Sequence, residues 1–191
     1  MKNKTKNNFL FAVTAAVVAA SLLAALPSPV SAESPIGNTL QGGRGGSGTP
    51  TTVPGSGGRL APLSAEEAQG LQLAILEEYG AYNLYSAIIA QFGNVVPFSQ
   101  IALSEQQHSN SLIRQAEKYG VAVPANPGLS QPLAFTSLAE ACAAGAAAEI
   151  ADAALYDRLK AATTREDLLR VYDRLQSASL NQHLPEFELC D

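Results

Sequence analysis

The chain has 191 residues, of which 47% are hydrophobic, and it carries 12 Lys and Arg against 17 Asp and Glu. The resulting net charge of −5 argues against nucleic acid as a partner, because an acidic protein repels a phosphate backbone. Its two cysteines are too few for an iron–sulfur cluster that four thiolates hold.

The first 32 residues are typical of an export signal. Three lysines lie among the first six residues, an apolar run follows at 9–25, and residues 30–32 are the small-residue sequence Val-Ser-Ala. This pattern predicts cleavage after Ala32 and a secreted, periplasmic or cell-envelope protein with no stable membrane anchor. An uncleaved anchor is the alternative, although the run is shorter than the roughly 20 residues that a spanning helix needs.

Residues 33–59 are mainly Gly, Ser, Thr and Pro, with almost nothing apolar. Such a segment buries too little surface to offset the entropy of ordering, so we predict a disordered linker. The remaining residues, 60–191, are enough for one domain with a single core.

Two helices begin this domain. Ser64 and Glu67 form a capping-box pattern at the start of the first, which we expect to run to Gln91, and the second spans 98–119 before a glycine. Apolar residues recur at helical spacing in both, but Glu78, Glu105 and His108 stand where the core should continue. Glu and His three residues apart on a helix can point at one ion, a spacing that recurs in di-iron bundles. Alone, the motif is weak, and a solvated pair on the helix surface is the favoured interpretation.

A long connection separates the two halves of the domain. Residues 120–134 contain three prolines and no helical period, a third helix follows over about 136–162, and a fourth runs from Thr164 to about Leu184, where Pro185 disturbs it. Short, long and short connections describe an all-α four-helix bundle with one long crossover, the ferritin-like arrangement.

The two halves share a pattern that indicates an internal duplication. Glu149 precedes Tyr156 by the interval at which Glu78 precedes Tyr85, and each half also supplies a His on the partner helix. The tyrosines are core aromatics whose phenols can hydrogen-bond a metal ligand.

Six short motifs follow one another along the domain: Glu77-Glu78 with Ala81 and Tyr85, Phe92-Gly93, Ser104 to His108, Lys118-Tyr119-Gly120, Glu149 with Asp152, and Asn181-Gln182-His183. With them the chain from Leu71 to Phe187 resembles the ferritin-like di-iron proteins, and more closely the family named domain of unknown function 2202. The resemblance implies a site inside the bundle for two iron ions, or manganese. The implied ligands are Glu78, Glu105, His108, Glu149 and His183.

The fourth helix departs from a full ferritin-like site, because Leu180 stands where a Glu would precede His183 by three residues. Either Asp152 or Glu186 supplies the missing oxygen, or the site has fewer ligands or a single ion. Glu77, next to Glu78, is expected to contact a ligand or solvent instead of the metal.

Oxygen ligands with two imidazoles suit iron or manganese better than copper. The leading hypothesis is redox chemistry at an exported di-metal centre, either oxidation of ferrous iron or reduction of a small oxidant, oxygen or peroxide. The alternative is a non-catalytic metal-binding or structural bundle on a flexible tether. The sequence leaves open whether the protein is an enzyme and whether it forms a homo-oligomer.

The last prediction is a disulfide between Cys142 and Cys190. Cys142 lies two turns before Glu149, and Cys190 lies a similar distance beyond His183. If Glu149 and His183 face each other, both cysteines lie about 10 Å from the site at the same height, given the 1.5 Å rise per helical residue. The alternative is a core thiol at Cys142 and a free Cys190.

Overall fold

The structure is a computed structural model that describes residues 60–190. The predicted signal peptide and linker, residues 1–59, lie outside the described residues, as does residue 191. Within residues 60–190, no helix is long and apolar enough to cross a membrane.

All the regular secondary structure within residues 60–190 is helical, with no strand, which confirms the predicted class for this part of the chain. The elements, in chain order, are α1 (Ala65–Phe92), α2 (Phe98–Tyr119), α3 (Leu138–Ala161), α4 (Glu166–Ala178), a π-helical turn (Ser179–His183) and α5 (Leu184–Glu188). The long crossover lies between α2 and α3, as predicted.

Local signals set most helix ends. Ser64 and Glu67 form the predicted capping box on α1, and Gly120, with φ of 69°, ends α2 in the left-handed conformation that glycine adopts readily. The predicted start of the third helix, Thr136, is two residues early. Ser137 is the N-cap instead, because its hydroxyl accepts from the backbone N–H of Glu140.

The end of the bundle differs from the prediction. The fourth helix does not run unbroken to Leu184, because α4 ends at Ala178 and the π-helical turn follows. Pro185 lies in the first turn of α5, a position in which proline is tolerated. The helical path therefore continues past the proline, and α5 carries Phe187 into the core.

Two hydrophobic clusters pack the bundle on either side of a polar layer. One cluster contains Leu71, Ile75 and Leu112. The other contains Tyr85, Phe98 and Phe187. Since Glu78 lies between Ile75 and Tyr85 along α1, the carboxylates occupy the layer between the two hydrophobic clusters.

The C-terminal segment is held against α3. A Cβ at Gly145 would lie 2.7 Å from the Phe187 ring, so only glycine permits this close approach. Cys142 and Cys190 lie at disulfide distance, with their Cα atoms 5.8 Å apart. This pairing is the one predicted from the sequence.

Candidate metal centre

Five of the six residues predicted to bind metal converge in the polar layer. Their ligand atoms form two groups of three within 4.8 Å of one another: Glu78, Glu105 and His108, and Glu105, Glu149 and His183. Four separate elements supply them, namely α1, α2, α3 and the π-helical turn. Glu105 belongs to both groups and so lies at the centre of the arrangement.

Each imidazole directs Nδ1 at two carboxylates. His108 Nδ1 lies 2.9 Å from Glu105 Oε2 and 3.3 Å from Glu78 Oε2. His183 Nδ1 lies 2.9 Å from Glu105 Oε1 and 3.3 Å from Glu149 Oε2. Glu105 thus offers one oxygen to each side, and the two rings stack with their centroids 5.4 Å apart.

Ser104 contacts the opposite edge of both imidazoles, a role that sequence reasoning missed. Its Oγ lies 3.2 Å from His108 Nε2 and 3.1 Å from His183 Nε2. A hydroxyl oxygen can accept from two N–H groups, and a proton on Nε2 leaves the Nδ1 lone pair free for a metal. Ser104 lies in the motif that contains Glu105 and His108, but its link to His183 depends on the packing of α2 against the π-helical turn.

The tyrosines bind the carboxylates crosswise. Tyr85, on the helix of Glu78, donates to Glu149 Oε1 at 2.5 Å, and Tyr156, on the helix of Glu149, donates to Glu78. The equal Glu-to-Tyr intervals of the two halves therefore do not pair residues of one helix. Each tyrosine binds the glutamate of the other half. Burial, together with the nearby carboxylates, raises the pKa of both phenols well above the usual value, so they remain donors.

Charge is distributed unequally among the acids. Burial raises the pKa of Glu78, Glu149 and Asp152 above their ordinary values, and the neighbouring carboxylates add to this effect. Burial alone would also raise the pKa of Glu105, but contacts with the two imidazoles outweigh it and lower that pKa to about 2. Among these acids, Glu105 is the one whose pKa is lowered, so in the metal-free site it is the ionised partner of the two imidazoles.

His183 is the cationic partner of this centre. Burial opposes its charge, but contacts with Glu105 and Glu149 prevail and raise the pKa of the imidazole to about 10. A divalent cation can replace such protons, because it neutralises the same carboxylates.

The donor set fits a hard cation. Three carboxylates and two imidazoles offer oxygen and nitrogen ligands of the kind that iron and manganese accept. Glu78 Oε2 and Glu105 Oε1 are buried, yet neither accepts an aligned hydrogen bond from the described residues. Buried polar atoms are nearly always satisfied, so these oxygens fit atoms that coordinate an ion.

The sixth predicted ligand, Asp152, lies in neither group of three. Ser179 donates to its Oδ2 at 2.5 Å, while its Oδ1 is buried and has no hydrogen-bond partner among residues 60–190. Ligation by Asp152 stays a prediction. Glu186 is exposed to solvent, so it is the wrong choice for the missing oxygen.

The π-helical turn explains why the spacing before His183 is unusual. In the wider π-helical turn, the residue four positions before His183 lies on the same face as His183, and the residue three positions before it does not. Leu180, three residues before His183, is 41% exposed, whereas Ser179, four residues before it, is buried against Asp152. The position that a ligand Glu would take is thus displaced to Ser179.

Glu77 is half-buried beside the site and lies in neither group of three.

No protein-family model and no curated protein sequence matches the chain. Among solved structures, the chain is similar to the crystal structure of a hypothetical protein from Methanococcus jannaschii DSM 2661, with a TM-score of 0.59 and 27% sequence identity. The similarity covers 66% of this chain and 80% of that chain. That protein is described as hypothetical, so the similarity bears on the helical fold and not on an activity.

Proposed function

We propose that this chain is a ferritin-like protein, related to the family named domain of unknown function 2202, that holds two iron or manganese ions and performs redox chemistry with oxygen or peroxide. The observation that carries the proposal is the pair of three-residue groups that share Glu105. A shared carboxylate with one oxygen on each side is suited to bridge two cations. Glu78 with His108 would complete one side, and Glu149 with His183 the other.

The chain's own residues would prepare this centre in three ways. Ser104 fixes both imidazoles with Nδ1 directed inward. Tyr85 and Tyr156 each hold a carboxylate oxygen, which limits rotation of Glu149 and Glu78. Burial of the carboxylates excludes bulk water, so each charge interacts strongly with a bound cation. Iron or manganese, when bound, supplies electron transfer to a small oxidant.

One observation favours the second candidate, a structural bundle without turnover. Both imidazoles already contact carboxylates within 3.3 Å, so the cluster can stand as a buried ion-pair network. This candidate predicts a folded, stable protein that gains little from metal.

The proposed location is outside the cytoplasm. Cys142 and Cys190 at disulfide distance fit an oxidising compartment, where such bonds persist. The predicted export signal agrees with this location. The proposed partners are metal ions and a small oxidant. The proposed protein is released without a membrane anchor.

The test is oxygen and peroxide consumption by protein loaded anaerobically with ferrous iron. Wild-type protein should consume oxidant faster than the same iron in buffer, and Glu105→Gln should fall to the buffer rate. Glu117→Gln is the matched control, because Glu117 is an exposed residue on the same helix. Equal rates for wild-type protein and Glu105→Gln would favour the structural candidate.

A further inference from the structure

Two arginines from different helices meet at one serine hydroxyl. Arg114 on α2 donates to Ser111 Oγ from Nη2 at 3.0 Å, and Arg174 on α4 donates to the same oxygen from Nη2 at 3.1 Å. Both arginine side chains are exposed to solvent. Two guanidinium groups are therefore held next to each other on the surface between α2 and α4, and we call Arg114 and Arg174 the arginine pair.

Neither member of the arginine pair forms an ion pair within residues 60–190. Arg114 contacts Ser111 although Glu117 lies only three residues further along α2. Among the other Lys and Arg side chains of this part of the chain, all but Arg158 have a carboxylate partner, namely Lys118, Lys160, Arg165 and Arg170. Like charges at short range repel, and a neutral hydroxyl does not compensate them. The arginine pair therefore lacks a negative partner.

Ser111 sets the spacing of the arginine pair but is not free to bind a ligand. Its hydroxyl accepts from both arginines and donates to the carbonyl oxygen of Gln107 at 2.9 Å, so its one proton and two lone pairs are all used. Each guanidinium has five N–H donors, of which Ser111 accepts one. The described residues provide no further acceptor for either arginine, so the remaining donors face solvent.

We infer that the arginine pair binds a small oxyanion of the phosphate class. The planar fork of N–H donors on arginine matches the oxygens of phosphate and carboxylate groups. A phosphate dianion neutralises both guanidinium groups and presents oxygens in several directions, whereas a single carboxylate neutralises one. This inference goes beyond the proposed function, because it concerns binding of an anion to protein side chains alone.

The acidity of the whole chain does not exclude this ligand. A small ion responds mainly to charges within the screening length, about 8 Å at physiological ionic strength. The other Lys and Arg side chains of the two helices are paired, Lys118 with Asp167 and Arg170 with Glu166, so they add no net charge. The arginine pair outweighs the single charge of Glu117, so this part of the surface is locally positive.

The experiment is isothermal titration calorimetry of the purified protein with inorganic phosphate at fixed ionic strength. The protein is first chelated and dialysed, because iron and manganese also bind phosphate and His108 lies three residues before Ser111. One phosphate should bind per chain, and acetate should bind at least tenfold more weakly. Glu105→Gln should keep the wild-type phosphate affinity, so failure of the metal proposal would leave the phosphate result standing, and the reverse also holds.

Substitutions then locate the bound anion. Arg114→Gln and Arg174→Gln should each reduce the phosphate affinity at least tenfold, because each removes a charge and a fork of donors. Arg114→Lys keeps the charge without the fork and should restore only part of the affinity. Arg158→Gln is the matched control and should bind as wild type, because Arg158 is an exposed arginine without a carboxylate partner on another helix. Circular dichroism checks the fold, and either arginine variant decides the question if the other is unfolded.

A second measurement separates free phosphate from the phosphate of a lipid head group. The protein is sedimented with phosphatidylcholine vesicles that contain or lack phosphatidic acid. Sedimentation that requires phosphatidic acid and is lost in Arg114→Gln would identify the lipid, whereas calorimetric binding alone would identify the free ion. Three results would overturn the inference: no saturable binding of phosphate in either form, equal affinity for acetate, or an equal loss of affinity in Arg158→Gln.

Discussion

Replacement of the shared carboxylate should affect metal binding more than replacement of a carboxylate in one group. Glu105 belongs to both groups of three, whereas Glu78 belongs to only one. Wild-type protein should hold two ions per chain, Glu78→Gln one ion, and Glu105→Gln none. Glutamine keeps the size of the side chain and removes its charge, so packing changes little.

The associated stability change follows from linkage. A metal at a thousand times its dissociation constant stabilises the folded state by about 4 kcal/mol per independent site. In a domain of this size, each kcal/mol raises the melting temperature by roughly 3–6 °C. Loading one site should therefore raise the melting temperature of wild-type protein by roughly 15 °C, and Glu105→Gln should lose nearly all of this increase.

Each variant must be compared with its own chelated form. Glu105 is ionised between two imidazoles, and removal of one partner from a buried pair costs about 3–5 kcal/mol even without metal. Elemental analysis gives the ions per chain, and calorimetry gives the melting temperatures. Glu117→Gln, exposed on α2, should behave as wild type. Equal metal loss in Glu78→Gln and Glu105→Gln would refute the shared-ligand geometry.

Three further predictions follow from neighbouring contacts. Ser104→Ala should lower metal affinity by roughly 10- to 100-fold in a chelator competition, because both imidazoles lose the partner of Nε2. Ser104→Thr keeps the hydroxyl and is the control. Equal metal affinities of wild-type protein and Ser104→Ala would contradict the positioning role. In chelated protein the pKa of His183 is raised from 6.5 to about 10, so its stabilisation is fully present below pH 6.5 and is lost as the pH rises towards 10. The raised pKa of Glu78 also makes the folded state less stable as the pH rises. The free energy of unfolding from urea titrations should therefore fall from pH 7 to 10, and an increase over this range would contradict the prediction. The bond from Cys142 to Cys190 spans 48 residues, so Cys142→Ser should lower the free energy of unfolding by about 4 kcal/mol; free thiols at both positions in non-reduced peptides would exclude the bond.

The sequence by itself determined the helical class, the first two helices and the kinds of side chain in the core. The capping box at Ser64, the glycine after Tyr119 and the helical period of apolar residues are local signals, so α1 and α2 were predictable nearly to the residue. Glu78, Glu105 and Glu149 were recognisable because a carboxylate on an apolar stripe needs a compensating partner. The pairing of Cys142 with Cys190 followed from equal distances along two helices.

Only the tertiary structure decided which of these groups meet. The sharing of Glu105, the crossed tyrosines and the contact of Ser104 with His183 each join residues more than 40 positions apart or on different helices. The π-helical turn has no clear sequence signal, yet it determines that Ser179, and not Leu180, lies on the face of His183. Each helical residue rotates the side chain by about 100°, so one extra residue in a turn moves a ligand to another face. Local periodicity fixes a residue's face relative to its own helix, and only packing between helices fixes what that face contacts.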